Sequence, residues 1–504
     1  MSYTPSADDD MNNVAKSSGD PMPTPTDIPD LVRIGTIPTN TAISIDTDIL
    51  DPVVNTDEFC RFQFQNKGIL HSHSKITLRF DKQSTRAFAP INVGIHSVIQ
   101  RCRLLVGTKT ISEIDDFNHY MAYKSAFMSN EHQKQREQVT SGRMIAHKVY
   151  YDNGSNVSGA GQSNTSASYI GLDTGMNVSA TASGTVVSEQ SDLIARPYQV
   201  TNSAFGGPEY QIALADLFPF LYSNQLPLYM MTEPVTVELT FAPAAKRRLC
   251  ATAGSSATLF KFDLTATKLV ADYQYFPQEI MEQYAQANRD MTFSYVDYRL
   301  AKRTVSVNEA EGSEKAIPQQ IMNIGAAGRI CSKVICLLNQ DSTVPDATMT
   351  NLYNSTGAPS DYTSVSDVRS NGTTTTNIKY NNQFLYPVDI DNPCRHFYQV
   401  TQAEGMVPFV TRDEYSDAGG LITNTDFEGG DQNSDSGLVN NFFIQSYHLN
   451  RAERINSRGI EYYFQYSKLA NRSGGSTDSY TMRTYVELMK MATLRDGVME
   501  TFFG

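Results

Sequence analysis

The chain of 504 residues has no tryptophan, only six cysteines and no long run of apolar residues. A helix that spans a membrane needs roughly 18 or more consecutive apolar residues, so we expect no membrane-spanning helix. Residues 1–30 are polar and proline-rich and lack the apolar core of a secretory signal peptide. We therefore expect a soluble chain in the cytosol or nucleus, and contact with a membrane surface from outside stays open.

The cysteines form no recognisable metal or disulfide framework. None of them belongs to a Cys-x-x-Cys pair, and only Cys331 and Cys336 lie close together, within the apolar stretch 330–338. We predict buried free thiols in a reducing compartment, with a disulfide or a metal pair as the alternative.

The chain also has no excess of positive charge, since it contains 41 Lys and Arg residues and 54 Asp and Glu residues. Proteins that package nucleic acid usually carry a basic arm or stripe. Residues 1–30 instead contain three consecutive aspartates from Asp8 and one cation, Lys16. The densest basic cluster, residues 246–248, favours a solvated loop or an ion-pairing segment, with an anionic membrane or nucleic acid as the alternative.

Motifs of common enzyme and cofactor sites are absent or incomplete. His71 and His73 offer two imidazoles but no third ligand, which favours a polar turn over a metal site. Residues 431–435 imitate the start of a calcium loop without its required glycine and glutamate. Residues 323–328 lack the first glycine of a dinucleotide fingerprint. We therefore predict no catalytic, cofactor-binding or metal-binding residues, no cofactor, and no enzymatic activity.

Strand patterns dominate the chain from Phe59 onward. Residues 74–80 and 236–241 alternate polar and apolar side chains, and this period of two places one apolar set on the core side of a sheet. The apolar sets are Ile76, Leu78 and Phe80, and Val237, Leu239 and Phe241. Helical spacing occurs at 117–128, where Asp115 or Asp116 is a candidate cap, and at 277–290.

Chain length and the strand pattern predict two β domains. One β-sandwich with insertions reaches roughly 200–250 residues, so we predict a first domain at 31–290 and a second at 291–504. A disordered or extended arm at 1–30 precedes them, and the helix at 277–290 links them. Polar segments at 153–190, 339–377 and 412–437 are predicted surface loops.

Many short antiparallel strands with long excursions indicate a jelly roll more than an up-and-down barrel. The predicted fold class is therefore all-β, with two consecutive eight-stranded jelly-roll β-sandwiches, short helices and long loop insertions. No residue-level repeat relates the two halves.

Three segments carry a family resemblance. They are residues 214–221 with 225–229, residues 269–275 with 282–287, and residues 95–128. They resemble the double jelly-roll major capsid proteins of nucleocytoplasmic large DNA viruses, virophages and polinton-like viruses, and the last segment is most similar to polinton-like versions. The chain departs from many relatives in lacking tryptophan, and its second half contains no matching segment.

The resemblance implies a homotrimer whose six sandwiches form a near-hexagonal tile of an icosahedral DNA-virus shell. It further implies penton and minor capsid partners, possible contact with an internal membrane, no sequence-specific nucleic-acid binding, and a place in the virion after assembly in the host cytoplasm or nucleus. The alternatives are a secreted tandem β-sandwich adhesin or carbohydrate-binding protein, and a glycoside hydrolase, whose carboxylate pair cannot be placed from sequence.

Overall fold

The structure is a computed structural model that describes residues 43–81, 94–126, 136, 140–141, 146–150, 167–171, 209–242, 261–262, 264–306, 308–309, 315–340, 374–391, 393–404, 445–449, 454–469 and 479–503. The predicted arm at 1–30 and the predicted loop at 412–437 lie outside the described residues.

The first half of the chain forms two antiparallel sheets, with strand orders β1-β13-β5-β10 and β2-β3-β11-β6-β7. Short strands β4 and β12 pair with β13 and β5, and β8 pairs with β9. The strands are β1 (Ser44–Leu50), β2 (Val54–Asn55), β3 (Phe59–Gln63), β4 (Ile69–Leu70), β5 (Lys75–Asp81), β6 (Ile99–Val106), β7 (Lys109–Asp115), β8 (Ala146–Tyr150), β9 (Ala167–Gly171), β10 (Glu209–Ala213), β11 (Val235–Phe241), β12 (Lys261–Phe262) and β13 (Lys268–Tyr275).

The second half forms two more antiparallel sheets, with strand orders β14-β22-β17-β20 and β15-β16-β21-β18-β19, and β23 pairs with β22. The strands are β14 (Asp290–Ser306), β15 (Asn308–Glu309), β16 (Lys315–Gly325), β17 (Cys331–Gln340), β18 (Thr374–Tyr380), β19 (Gln383–Phe384), β20 (Gln445–His448), β21 (Ile460–Leu469), β22 (Ser479–Arg495) and β23 (Val498–Phe503).

One strand order occurs in both halves. The principal strands are β1, β3, β5, β6, β7, β10, β11 and β13 in the first half, and β14 and β16 through β22 in the second. Numbered along the chain within each half, they form one sheet in the order 1-8-3-6 and another in the order 2-7-4-5. This is the connectivity of an eight-stranded jelly roll. The predicted fold class, two consecutive jelly-roll sandwiches, is confirmed.

Alternating burial explains why these segments pair as sandwich strands. Ile76 and Leu78 on β5, and Val237 and Leu239 on β11, are completely buried, and Phe241 is nearly so. The predicted core faces are therefore confirmed at these positions, whereas the side chain of Phe80 lies outside the description. In the second sandwich, buried tyrosines supply much of the core: Tyr447 donates a hydrogen bond to Thr376 Oγ1 at 2.6 Å, so a large ring is buried without leaving its hydroxyl unpaired.

Five α-helices occur among the described residues: α1 (Phe117–Ala126), α2 (Leu214–Leu217), α3 (Pro219–Ser223), α4 (Gln278–Ala287) and α5 (Pro393–Ala403). Helix α1 begins where the sequence predicts it. Helix α4 lies within the predicted linking segment at 277–290. Within the described part of the chain, no helix is long and apolar enough to cross a membrane.

Two predicted loops need correction. Strand β9 lies inside the predicted loop at 153–190 and pairs with β8. The loop was predicted because the segment lacks an apolar core, but backbone pairing between two strands does not need one. The predicted loop at 339–377 is shorter, since β17 continues to Gln340 and β18 starts at Thr374. The run of β-branched threonines that begins at Thr373 favours an extended strand.

Candidate functional site

Two of the candidate chemical motifs lie at turns within the described residues. His71 and His73 lie between β4 and β5 with ring centroids 4.3 Å apart, and the His73 amide donates a hydrogen bond to His71 Nδ1 at 3.2 Å. Residues 323–328 include the turn from β16 to β17. No group of three or more His, Cys, Asp or Glu side chains suited to a metal occurs in the part of the chain that the structure describes. Residues 246–248 and 431–435 lie outside it.

The cysteines behave as predicted where they are described. Cys60, Cys102, Cys331 and Cys336 are free and buried. Burial raises the pKa of the Cys60 and Cys331 thiols to about 12. Cys250 and the side chain of Cys394 lie outside the description.

A buried junction joins the two sandwiches, and we treat it as the first part of the candidate site. The first residues of β14 and the last residues of β22, together with β23, cover the core of the first sandwich. Phe220 of α3 contacts Phe293 and Tyr295 of β14, with ring centroids 5.7 Å and 4.9 Å apart. Leu494 and Met499 are completely buried in the same cluster. One apolar core is thus shared by both halves, so they pack as a single body.

Asp116 anchors the junction at the end of β7. Its Oδ2 atom accepts a hydrogen bond from Arg483 Nε at 2.9 Å and lies 2.6 Å from Lys302 Nζ. Its backbone oxygen accepts a hydrogen bond from the Tyr485 hydroxyl at 2.8 Å. The prediction that this side chain caps α1 is not borne out, because its carboxylate pairs with two cations of the second sandwich.

Asp297 of β14 makes the reciprocal contact. Its carboxylate accepts hydrogen bonds from Ser112 Oγ at 3.0 Å and the Glu113 amide at 3.3 Å, and it pairs with Lys490. Burial raises the pKa of Asp297 above its ordinary value, and the charge of Lys490 opposes that rise. Each sandwich therefore contributes one buried carboxylate to the other.

A third polar group lies where α5 meets α1. Lys333 Nζ lies 2.9 Å from Glu404 and 3.7 Å from Glu487, and Glu404 also accepts a hydrogen bond from the Tyr123 hydroxyl. Burial, together with the nearby charge of Glu487, raises the pKa of Glu404 to about 8. Two carboxylates of the second sandwich thus share one buried ammonium group, and the Tyr123 hydroxyl of the first sandwich reaches this group across the junction.

The hairpin that connects β22 and β23 is hydrogen-bonded to the first sandwich. The Gly497 oxygen accepts hydrogen bonds from the Thr232 amide at 2.9 Å and its hydroxyl at 3.0 Å. Gly497 has φ +81°, and a Cβ atom there would lie 2.7 Å from Thr232 Cγ2. This close approach requires glycine.

Three exposed apolar surfaces form the second part of the candidate site. The β1–β13 face is the outer face of these strands, where Ile45 is 56% and Ile49 69% exposed. The α5 side comprises β19, α5 and the residues between them, with Phe384, Val388 and Tyr398 exposed. The β22–β23 face carries Met489, Met491 and Phe502, also exposed. Clustered exposed apolar side chains are typical of interaction surfaces.

The other outer face of the first sandwich is charged instead. Across β3, β11, β6 and β7, the register aligns Arg61, Glu238, Arg103 and Glu113 as alternating charges. Arg103 lies 3.3 Å from both Glu238 and Glu113. The charges on this face therefore satisfy one another, whereas the β1–β13 face has exposed apolar side chains.

Solved structures of other proteins share this architecture. No family model and no curated protein matches the sequence. Among solved structures, the chain is similar to the mavirus major capsid protein (TM-score 0.51, 9% identity, covering 100% of this chain and 96% of that one). It is also similar to the Sputnik virophage structure, with a TM-score of 0.52 and 11% identity, covering 93% of this chain and 90% of that one. The PBCV-1 virus capsid model gives a TM-score of 0.50 and 11% identity, covering 92% of this chain and 97% of that one.

The chain has the double jelly-roll fold. The resemblance inferred from three segments is confirmed at the level of the fold, and it extends to the second half, where the sequence offered no match. The polar residues of the double jelly-roll junction were missed, because their partners are far apart in sequence and follow no local motif. Asp116 and Arg483 are separated by 367 residues.

Proposed function

We propose that the chain is a major capsid protein that self-assembles into a homotrimer and then into the lattice of an icosahedral DNA-virus shell. The observation that carries this proposal is the occurrence of two jelly rolls in one chain, in a fold shared over nearly the whole length with three capsid structures. The proposed function needs self-association only, so we propose no enzymatic activity, cofactor or catalytic residue.

The junction supports this role physically. Because both sandwiches share a core and each places a buried carboxylate against the other, one chain forms a single two-sandwich block. Three such blocks around an axis give six similar sandwiches and a nearly hexagonal outline. Closed rings of this kind are built from contacts between different surfaces of neighbouring copies.

The remaining parts of the proposal follow from the same role. We place the domain limits at 31–290 and 291–504, with residues 1–30 as an arm. Penton and minor capsid proteins would be partners, contact with an internal membrane is possible, and sequence-specific nucleic-acid binding is not expected. The proposed location is the virion, after assembly in the host cytoplasm or nucleus.

Light scattering coupled to size-exclusion chromatography tests the proposal. A trimer has three times the 55.9 kDa mass of the chain, and that mass should persist on dilution. A chain that stays monomeric at all concentrations would contradict a shell-forming role and would favour the alternative of a tandem β-sandwich adhesin.

A further inference from the structure

The sheet with strand order 1-8-3-6 in the second sandwich becomes narrower along β22. Beside residues 480–488 of β22 lies β17, and β20 follows on its far side. Beside residues 490–495, β22 pairs with β23 instead, and among the described residues β23 pairs with no further strand. We call the side of β23 that faces away from β22 the β23 edge.

The turn between β22 and β23 determines which backbone groups face this edge. Asp496 and Gly497 both have positive φ, which is typical of a two-residue β-hairpin loop. In such a hairpin the flanking residues, here Arg495 and Val498, form a hydrogen-bonded pair, and the two kinds of pair alternate from there. Val498 and every second residue after it therefore bond to β22, whereas the backbone groups of the residues between them face the β23 edge.

Thr501 lies in the open part of the β23 edge. Its amide and its carbonyl oxygen face away from β22, and neither has a hydrogen-bond partner among the described residues. Nearer the turn the edge is occupied, because the Met499 oxygen accepts a hydrogen bond from Lys109 Nζ at 3.1 Å. That contact agrees with the orientation derived from the hairpin. An unpaired strand edge of this kind is a template for another strand.

Other strand edges are covered by the chain itself. On β7, the Ile111 oxygen accepts a hydrogen bond from the Tyr295 hydroxyl at 2.8 Å. On the short strand β4, the Leu70 amide donates a hydrogen bond to the oxygen of Leu226 at 2.9 Å, and Leu226 is completely buried. The cover of β4 is thus an extended apolar segment, and the described residues supply no such cover at the β23 edge.

The side chains beside the β23 edge indicate what a covering strand would carry. Phe502 lies opposite Met491 on the β22–β23 face, and these side chains are 47% and 41% exposed. Glu500 is exposed on the same face, and among the described residues no cation lies within ion-pair distance of it. An added strand would therefore place an apolar side chain beside Phe502 and a lysine or arginine beside Glu500.

The size of the edge selects the kind of partner. β23 has six residues, which span about 20 Å. Stable interfaces between two folded proteins bury roughly 1,200–2,000 Å², which is more than one short strand and its flanking side chains offer. An extended peptide needs less area, because main-chain hydrogen bonds provide its affinity and alternate side chains provide its specificity.

We propose that the β23 edge binds an extended segment of another protein as an added strand. The segment carries apolar side chains at alternate positions, with a basic residue between them opposite Glu500. Its backbone pairs with the free amide and oxygen of Thr501. This inference goes beyond the proposed function, because self-association into a trimer does not require it.

A synthetic peptide tests the proposal on the full chain. The probe is fluorescein-labelled Ser-Val-Thr-Lys-Thr-Val-Ser with blocked ends, whose valines and lysine would lie on the side of Phe502 and Glu500. Fluorescence anisotropy should show saturable binding at peptide or protein concentrations below about 1 mM. The same peptide with N-methyl groups on both threonines should bind at least about 10-fold more weakly, because it loses the amides that would face Thr501.

T501P tests the same hydrogen bonds from the side of the protein. Proline is tolerated on edge strands where the lost amide faces outward, so the pairing of β23 with β22 should survive. Binding of the unmodified peptide should fall at least about 10-fold. I45T changes an exposed apolar side chain on the β1–β13 face and serves as the control, with unchanged binding.

A charge exchange tests the predicted position of the basic residue. A second peptide carries glutamate in place of lysine. The wild-type chain should prefer the lysine peptide by about two- to five-fold, and E500K should prefer the glutamate peptide by a similar factor. This exchange alters an exposed side chain, so it decides the question even if T501P fails to fold.

The outcomes support or overturn the inference separately from the proposed function. No saturable binding of either peptide, equal binding of the N-methylated peptide, or the same preference in E500K and the wild type would overturn it. A larger oligomer that T501P dissociates in the absence of peptide would also overturn it, since a second copy would then occupy the edge. A monomeric wild-type chain that binds the lysine peptide as predicted would contradict the proposed function and leave this inference standing.

Discussion

Asp116 of the first sandwich and Arg483 of the second form a nearly buried ion pair, with Oδ2 and Nε 2.9 Å apart. Asp116 adopts φ +47°, a conformation that aspartate, asparagine and glycine tolerate better than other residues. The carboxylate of Asp116 pairs with the second sandwich, whereas its backbone oxygen accepts hydrogen bonds from the His119 and Tyr120 amides at the start of α1. This contact between the sandwiches therefore depends on a residue in a left-handed backbone conformation.

The first prediction concerns this pair. D116N keeps the backbone preference and the Tyr485 contact but removes the charge, leaving Arg483 nearly buried without its counter-ion. Breaking a buried pair on one side typically costs about 3–5 kcal/mol, and we expect about 3 kcal/mol in chemical denaturation. The control K302M removes the more exposed partner and should cost under about 1 kcal/mol. A loss below 1 kcal/mol for D116N would show that the pair is dispensable.

The second prediction concerns pH. The pKa of Glu404 is about 8 in the folded chain, against an ordinary value of 4.5, so the folded state holds this proton more tightly. The free energy of unfolding should therefore fall as pH rises from about 5 to about 8, by at most about 1.4 kcal/mol per pH unit, and level off above.

E404Q should flatten that profile, because its amide carries no titratable proton and can still contact Lys333. The measurement is denaturant unfolding at a series of pH values. The matched variant E500Q changes an exposed glutamate on β23 and should preserve the wild-type slope. Equal slopes for E404Q and the wild type would rule out Glu404 as the source.

The third prediction compares two glycines with positive φ. G497A places a methyl group against Thr232 and also forces alanine into the left-handed region, so we expect a loss of about 3 kcal/mol or more. G328A has φ +74° and no atom within 4 Å of the added carbon, so backbone strain alone should cost about 1 kcal/mol. Thermal melts of both variants check the difference. Similar losses would mean that the contact with Thr232 contributes little.

The fourth prediction concerns the buried thiols. Cys60, Cys102, Cys331 and Cys336 should resist alkylation at pH 8 in the folded chain, because burial blocks access and raises the pKa of each. Peptide mass spectrometry before and after unfolding measures the modified positions. Rapid labelling of Cys102 in the native state would contradict the packing of the first core.

Local patterns in the sequence predicted much of the fold. Alternation at 74–80 and 236–241 identified core strands, and helical spacing identified α1 and α4. These signals are local because burial on one face repeats every second residue in a strand and every third or fourth in a helix. The strand β9 was missed, since its composition gave no apolar face.

The junction could not be predicted in the same way. Asp297 binds residues 184 and 185 positions away, and Glu404 meets Tyr123 across 281 positions. Such contacts depend on how two sandwiches pack, which no local period encodes. The pair Asp115–Asp116 was interpreted as a helix cap because that is the only role visible within a few residues.

Electron microscopy of the purified oligomer tests the central claim most directly. Class averages viewed down the symmetry axis should show six similar lobes in a nearly hexagonal ring, two for each chain. Particles with only two lobes, or rings in which each chain contributes a single lobe, would contradict the account.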